Sequence, residues 1–164
     1  MRNKMDERVP MTLRGYEALK QELHRLKTVE RPANIKDIEE AIAHGDLSEN
    51  AEYHAAKEKQ AHIAGRMALL DDKIARAQVI ETAGQTPDKV RFGATVTLSD
   101  TETDDEVSYT IVGEDEADAR QGRISVTSPV ARALMSKEVG DDVSVKVPKG
   151  LREFEILAIR FDEL

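Results

Sequence analysis

Cysteine and tryptophan are absent from this chain of 164 residues, and aromatic residues make up only 4 % of it. Without cysteine there is neither a disulfide nor a thiolate metal site, which fits a reducing compartment, and a cytoplasmic place of action is expected. No stretch approaches the ~18–20 consecutive apolar residues of a membrane span, so no membrane partner is expected. The segment Met1–Met11 is charged and lacks the apolar run of a secretory leader. With 40 % apolar and 34 % charged residues but so little aromatic mass, the composition suits long helices better than one compact core.

Positive charge is scarce in the second half. Residues 1–83 carry 14 Lys/Arg against 15 Asp/Glu, whereas residues 84–164 carry 10 against 17. An acidic chain gains nothing from counterion release on free nucleic acid. Independent binding to DNA or RNA is therefore not expected, and the direct partner should be a protein surface.

The first half carries a heptad pattern. Thr12 is placed to cap a helix whose apolar residues Tyr16, Leu19, Leu23 and Leu26 recur at 3, 4 and 3. Pro32 should kink or interrupt that helix. The seam is expected to resume with Ile35, Ile38 and Ile42. Gly45, after His44, suits the left-handed end of the helix. A second seam, Tyr53, Ala56, Gln60, Ile63, Met67, Leu70, Ile74 and Ala77, follows at alternating 3 and 4. Two helices joined by so short a turn run antiparallel, and arms of about 30 residues span about 45 Å. Such a pair should protrude as an arm, with Ala51, Ala55 and Ala56 keeping its end slender.

Beyond Thr82–Pro87 the period falls to two. Strands are expected at Ala94–Leu98, Val107–Val112, Ile124–Val126, Val143–Val147 and Arg152–Ile159, with an acidic hairpin loop at Asp100–Glu106. Ser128-Pro129 reads as a helix start, Ser as cap and Pro in the first position. The expected class is α+β: an N-terminal antiparallel coiled-coil hairpin over residues 1–83, a linker near 82–89, and a small α+β domain over 84–164.

Chemistry concentrates at the hairpin turn, Gly45-Asp46-Leu47-Ser48-Glu49-Asn50-Ala51-Glu52-Tyr53. Asp46 and Glu49 stand three apart, so both carboxylates can point one way. Hard divalent cations take oxygen ligands, and Mg²⁺ commonly uses one or two carboxylates plus water and phosphate. Two carboxylates do not make a full cage but could complete a site that another protein has partly built. Asp46-x-x-Glu49 also reads as a capping box, and on the residues alone that reading is the stronger. Tyr53 falls on the seam, where packing competes with a nucleotide or channel contact. His44 and His54 bracket the turn as polar or capping residues before metal ligands. Asn50 could cap or orient the turn, or hold a metal-bound water.

The run from His44 to Glu58, His-Gly-Asp-Leu-Ser-Glu-Asn-Ala-Glu-Tyr-His-Ala-Ala-Lys-Glu, resembles the signature of the bacterial transcript cleavage factors of the GreA/GreB family. Met11-Thr12-Leu13-Arg14-Gly15, Phe92-Gly93-Ala94-Thr95-Val96 with Tyr109-x-Ile111-Val112-Gly113, and Ile124-Ser125-Val126 with Ser128-Pro129-Val130-Ala131 extend the likeness over nearly the whole chain, in order. The resemblance implies a coiled coil followed by an FKBP-like domain. It implies binding to bacterial RNA polymerase, insertion of the coiled coil through the secondary channel, and stimulated cleavage of the backtracked RNA 3′ end. Carried over, the essential acids are Asp46 and Glu49, sharing Mg²⁺ with the polymerase; the free factor is not expected to hold that ion stably. Ser48, Asn50, Tyr53 and Lys57 are candidates for tip contacts with RNA or channel, and Ser128 and Pro129 for polymerase docking. Relatives often carry Arg just before the tip, where this chain has Ile42 and Ala43. The factor is expected to be an accessory to the polymerase's own cleavage rather than an enzyme, and a monomer, because the hairpin satisfies its own seam.

Three other readings predict different behaviour. A channel-occupying inhibitor of the same shape would bind without promoting cleavage. A prolyl isomerase or chaperone would need an apolar, aromatic-lined pocket, for which this half supplies only Phe92, Tyr109, Phe154 and Phe161. A passive coiled-coil adaptor would be indifferent to changes of charge at the tip.

Overall fold

The structure is a computed structural model and describes residues 7–46 and 49–162. Glu17–Arg76 form one compact unit, and Arg8–Tyr16 together with the chain from Ala77 onward form another.

Helix α1 (Leu13–Arg25), which belongs to the first unit from Glu17 onward, passes through a π-helical turn (Leu26–Glu30) into α2 (Arg31–Ala43), and α3 (Ala51–Arg76) packs against α2. The π turn is the answer to Pro32. In an unbroken α-helix the proline ring would clash with the carbonyl four residues back. Here the turn is widened, so that the Arg31 N–H reaches the carbonyl of Leu26 and Pro32 sits in the first turn of α2. The Thr28 hydroxyl donates to the carbonyl of His24 at 2.8 Å.

The same turn corrects the expected seam. One extra residue rotates everything after it by about 100°, so α2 buries Asn34 and Ala41 and half-buries Ile38. Ile35 and Ile42, expected inside, are 44 % and 50 % exposed. The second seam keeps its expected register: Ala56, Ile63 and Leu70 are buried at intervals of seven, with Tyr53, Gln60, Met67 and Ile74 half-buried between them. Ala77 leaves the helix for a strand. Polar links also cross between the arms. The Glu22 carboxylate on α1 accepts from Arg66 Nε and Nη2 on α3 at 2.9 and 2.7 Å. Asn34 Nδ2 donates to the carbonyl of Ala56 at 2.9 Å.

In the second unit β1 (Val9–Met11) pairs in parallel with β2 (Ala77–Val79). Neither strand was expected, because three residues are too few to show alternation. Thr12 caps α1 as expected: its Oγ1 accepts from the Gly15 N–H at 3.1 Å. The Glu116 carboxylate gathers the N–H groups of Thr12 and Gly113, each at 3.1 Å, and also the Thr12 hydroxyl.

Strands β3 (Ala94–Asp100), β4 (Glu106–Val112), β5 (Arg123–Ser125), β6 (Asp142–Val147) and β7 (Gly150–Phe161) form a five-stranded sheet in the order β5-β4-β3-β7-β6. The β4–β5 pair is parallel and the others antiparallel. Helix α4 (Pro129–Leu134) starts where expected, with Ser128 Oγ accepting from the Ala131 N–H at 3.2 Å and Pro129 in the first turn. It contributes Ala131 and Leu134 to a core with Val96, Leu98, Ile111 and Ile156, all fully enclosed. Asp100 closes the acidic β3–β4 turn: one oxygen accepts from the N–H groups of Glu102 and Thr103 and the other from Arg152 at 2.9 Å. Among the described residues no helix is long and apolar enough to cross a membrane.

Candidate functional site at the hairpin tip

The ends of α2 and α3 that flank the turn are each capped, one by backbone and one by a side chain. On the α2 side the N–H groups of His44 and Gly45 bond to the carbonyls of Ala41 and Ile42, each at 3.2 Å. Gly45 takes φ +112°, open only to a residue without a side chain. On the α3 side Asn50 is the cap, its Oδ1 accepting from the Tyr53 N–H at 3.0 Å. The capping box read from Asp46-x-x-Glu49 is thereby corrected. Asp46 lies five positions before Ala51, the first helical residue, whereas Asn50 immediately precedes it and holds the cap position.

Asp46 and Glu49 are both exposed. With His44, Asn50, Ala51 and Glu52 they line one open concavity of about 450 Å³ at the end of the hairpin. His44 Nδ1 lies 3.3 Å from Glu52 Oε2 on its rim. Among the described residues no group of three or more His, Asp or Glu side chains converges as a metal cage. The carboxylates of Asp46, Glu49 and Glu52 share this concave face without closing a cage. That fits a hard cation held jointly with other ligands, and leaves to those ligands most of an octahedral shell.

The remaining candidates are placed as follows. Ser48, with Leu47, lies outside the described residues. Both ends of the Asn50 amide are engaged within the protein, since Nδ2 donates to the carbonyl of Ala41 at 2.8 Å. Tyr53 is half-buried on the seam, edge-on to His54 with ring centres 5.6 Å apart. Lys57 is exposed one turn further along, its Nζ donating to Gln60 Oε1 at 2.8 Å. Together with Arg31, Asn34, Ile35 and Met67 it borders a groove of about 760 Å³ between α2 and α3. Ser128 and Pro129 are not part of the tip; they belong to the sheet-bearing unit, where Ser128 serves as a cap.

Sequence reasoning named Asn50 as able to cap or orient the turn, but not the two bonds that asparagine amides make between the arms. Asn34 donates from α2 to Ala56 on α3, and Asn50 donates from the start of α3 to Ala41 on α2. The carbonyl owners, Ala41 and Ala56, are small and buried, which lets the backbones approach within reach of a side-chain amide. The signal available beforehand was an Asn directly ahead of a helical run.

Two family descriptions match the chain: "Transcription elongation factor, N-terminal" over residues 9–79, and "Transcription elongation factor, GreA/GreB, C-term" over residues 85–161. The chain is 60 % identical to the transcription elongation factor GreA of Hyphomonas neptunium over 153 residues, 93 % of this chain and 98 % of that one. Against the GreA of Anaeromyxobacter sp. (strain K) the identity is 59 % over 157 residues, 96 % of this chain and 95 % of that one. Of solved structures, the GreA factor homolog 1 protein of Thermus thermophilus is 32 % identical, with 94 % of this chain and 99 % of that chain covered and a TM-score of 0.42. The GreA/GreB factor of Nitrosomonas europaea is 20 % identical, with 94 % and 100 % covered and a TM-score of 0.43.

Proposed function

The chain belongs to the GreA/GreB family of transcription elongation factors, and from that premise we propose that it binds bacterial RNA polymerase and stimulates cleavage of the 3′ end of backtracked RNA. The observation that carries this reading is the shared concavity of Asp46 and Glu49 at the α2–α3 turn. The hairpin enters the secondary channel tip first. An arm the length of α3, 26 residues, reaches about 39 Å. The factor acts in the cytoplasm as an accessory, the chemistry being the polymerase's own.

Backtracking leaves an internal phosphodiester at the catalytic centre. Mg²⁺ in that centre supplies Lewis-acid stabilisation and a water of lowered pKa. Asp46 and Glu49 would be the residues of this chain that help hold such an ion, jointly with ligands from the polymerase. The antiparallel helices hold these two residues in place, so few degrees of freedom remain to be frozen at the moment of reaction. Lys57, exposed on α3, offers a cation to the extruded RNA, and Tyr53 offers a ring edge. Ile42 supplies no charge to that RNA. Ser128 and Pro129, at the start of α4, dock against the channel rim.

The test is a halted, backtracked bacterial elongation complex with Mg²⁺, followed by RNA length. Addition of the protein should shorten the RNA from its 3′ end, and the protein alone should leave free RNA intact. Occupancy of the complex without shortening would instead mark a channel-blocking inhibitor.

A further inference from the structure

We infer that Asn50 is a positioning residue for the tip carboxylates: its side-chain amide clamps the end of α2 to the start of α3, the two helix ends between which Asp46 and Glu49 lie. The inference rests on the cleavage reading above. Oδ1 accepts from the Tyr53 N–H at 3.0 Å and Nδ2 donates to the Ala41 carbonyl at 2.8 Å. The first bond is an ordinary helix cap and concerns α3 alone. The second is not required by capping. It crosses the turn and engages a carbonyl near the end of α2.

The consequence is geometric. Asp46 and Glu49 both lie between Ala41 and Asn50 in the chain, so one side chain closes the loop that contains them. The Ala41 carbonyl also accepts from the His44 N–H at 3.2 Å, which ties the clamp to the residue where α2 ends. One rigid planar amide bonded to both helix ends leaves those ends fewer relative placements than backbone connection alone. Asn34 repeats the device a few turns away in the opposite sense, donating from α2 to Ala56 on α3 at 2.9 Å. Misplacement of a reacting group by about 1 Å costs up to about 100-fold in rate, so an unpinned turn should cleave poorly even when correctly docked.

The variants separate capping from clamping. Asn50→Ser keeps a good helix cap but has no amide to donate across the turn. Asn50→Asp keeps the acceptor for the Tyr53 N–H and likewise cannot donate, which provides a second variant should the first disturb folding. Each is compared with the wild type and with Asp46→Asn in single-turnover cleavage on backtracked complexes. Competition binding to the polymerase and a Mg²⁺ titration accompany each. The expected result is unchanged helical content, unchanged polymerase affinity, cleavage slowed by about 10-fold or more, and a higher half-saturating Mg²⁺. A merely structural cap would leave the Mg²⁺ dependence unmoved. Wild-type rates and Mg²⁺ dependence in both Asn50 variants, with Asp46→Asn inactive, would overturn the positioning role and leave the cleavage reading standing. Loss of polymerase affinity in both would also overturn it, placing the effect on docking. Full activity of Asp46→Asn would overturn the cleavage reading and this inference with it.

Discussion

Asn34 is buried in the seam between α2 and α3, where its Nδ2 donates to the carbonyl of Ala56 at 2.9 Å while its Oδ1 has no partner. A polar residue at a seam position selects one register at a cost in stability, and a buried acceptor left unpaired costs about 1–3 kcal/mol. Asn34→Val removes the donor and the unpaired acceptor together. Its hairpin should be as stable as the wild type or more stable by up to about 1 kcal/mol, read from thermal unfolding of the helical circular dichroism signal. A loss of more than about 1 kcal/mol would show that the amide bond outweighs the unpaired oxygen.

Arg66 meets Glu22 in a two-pronged pair, and both side chains are about 40 % exposed. Water and salt screen such a pair, so the good geometry is offset by solvent competition. A double-mutant cycle with Glu22→Ala and Arg66→Ala should give a coupling of about 0.5–1 kcal/mol that shrinks in 1 M salt. A coupling that persists undiminished in high salt would contradict an exposed, screened pair.

Gly93 takes φ +86°, and a Cβ there would meet Thr82 Cγ2 at 2.3 Å. Thr82 is itself buried and held by its hydroxyl, which donates to the Asp162 carbonyl at 3.0 Å, so it cannot turn aside without losing that bond. Gly93→Ala combines left-handed strain with overpacking and should destabilise the sheet-bearing unit by about 2 kcal/mol or more. Chemical denaturation followed by tyrosine fluorescence, with Tyr109 in β4 as the reporter, measures it. An unchanged midpoint would refute the account of this turn.

The Arg152 guanidinium beside Asp100, followed by the Glu102 and Thr103 N–H groups, holds the Asp100 carboxyl below its ordinary value of 3.8. A carboxyl whose folded pKa is depressed adds stability in full above its unfolded value and loses it as the pH falls through the folded value. The β3–β4 hairpin should therefore weaken below about pH 3.8, and Asp100→Asn should flatten that part of the profile. Thermal unfolding between pH 5 and about 2 checks this. Equal slopes in wild type and variant would remove Asp100 from the acid response.

The antiparallel hairpin and the strands of the sheet were legible because each is long enough to repeat its period. The seam of α3 ran true through Ala56, Ile63 and Leu70 because nothing interrupts it. The seam of α2 did not, because the π turn at Leu26–Glu30 that accommodates Pro32 inserts a residue without leaving a mark in the hydrophobic pattern. Ile35 and Ile42 then look like core residues and Asn34 does not. At the tip, type and spacing offered Asp46 and Glu49 as ligands only behind a capping reading, and the family resemblance reversed that order; the two residues line one concavity. Their capping role was misread because two residues of capping type, Asp46 and Asn50, compete for it. Only the chain path shows which one abuts the helix. The three-residue strands β1 and β2 and the Glu116 contact with Thr12 depend on distant pairing, which no local pattern records.

The central claim is that Asp46 and Glu49 act together in RNA cleavage, and single-turnover cleavage of a backtracked elongation complex at saturating factor tests it most directly. Asp46→Asn and Glu49→Gln preserve shape while removing charge. Loss of several kcal/mol of ion-mediated stabilisation corresponds to about 100-fold or more in rate. Each variant should therefore bind the polymerase as the wild type does and cleave about 100-fold more slowly or worse. The double variant should be no slower than the worse single one, since the two carboxylates serve one ion. Cleavage by the double variant at the wild-type rate would contradict the account.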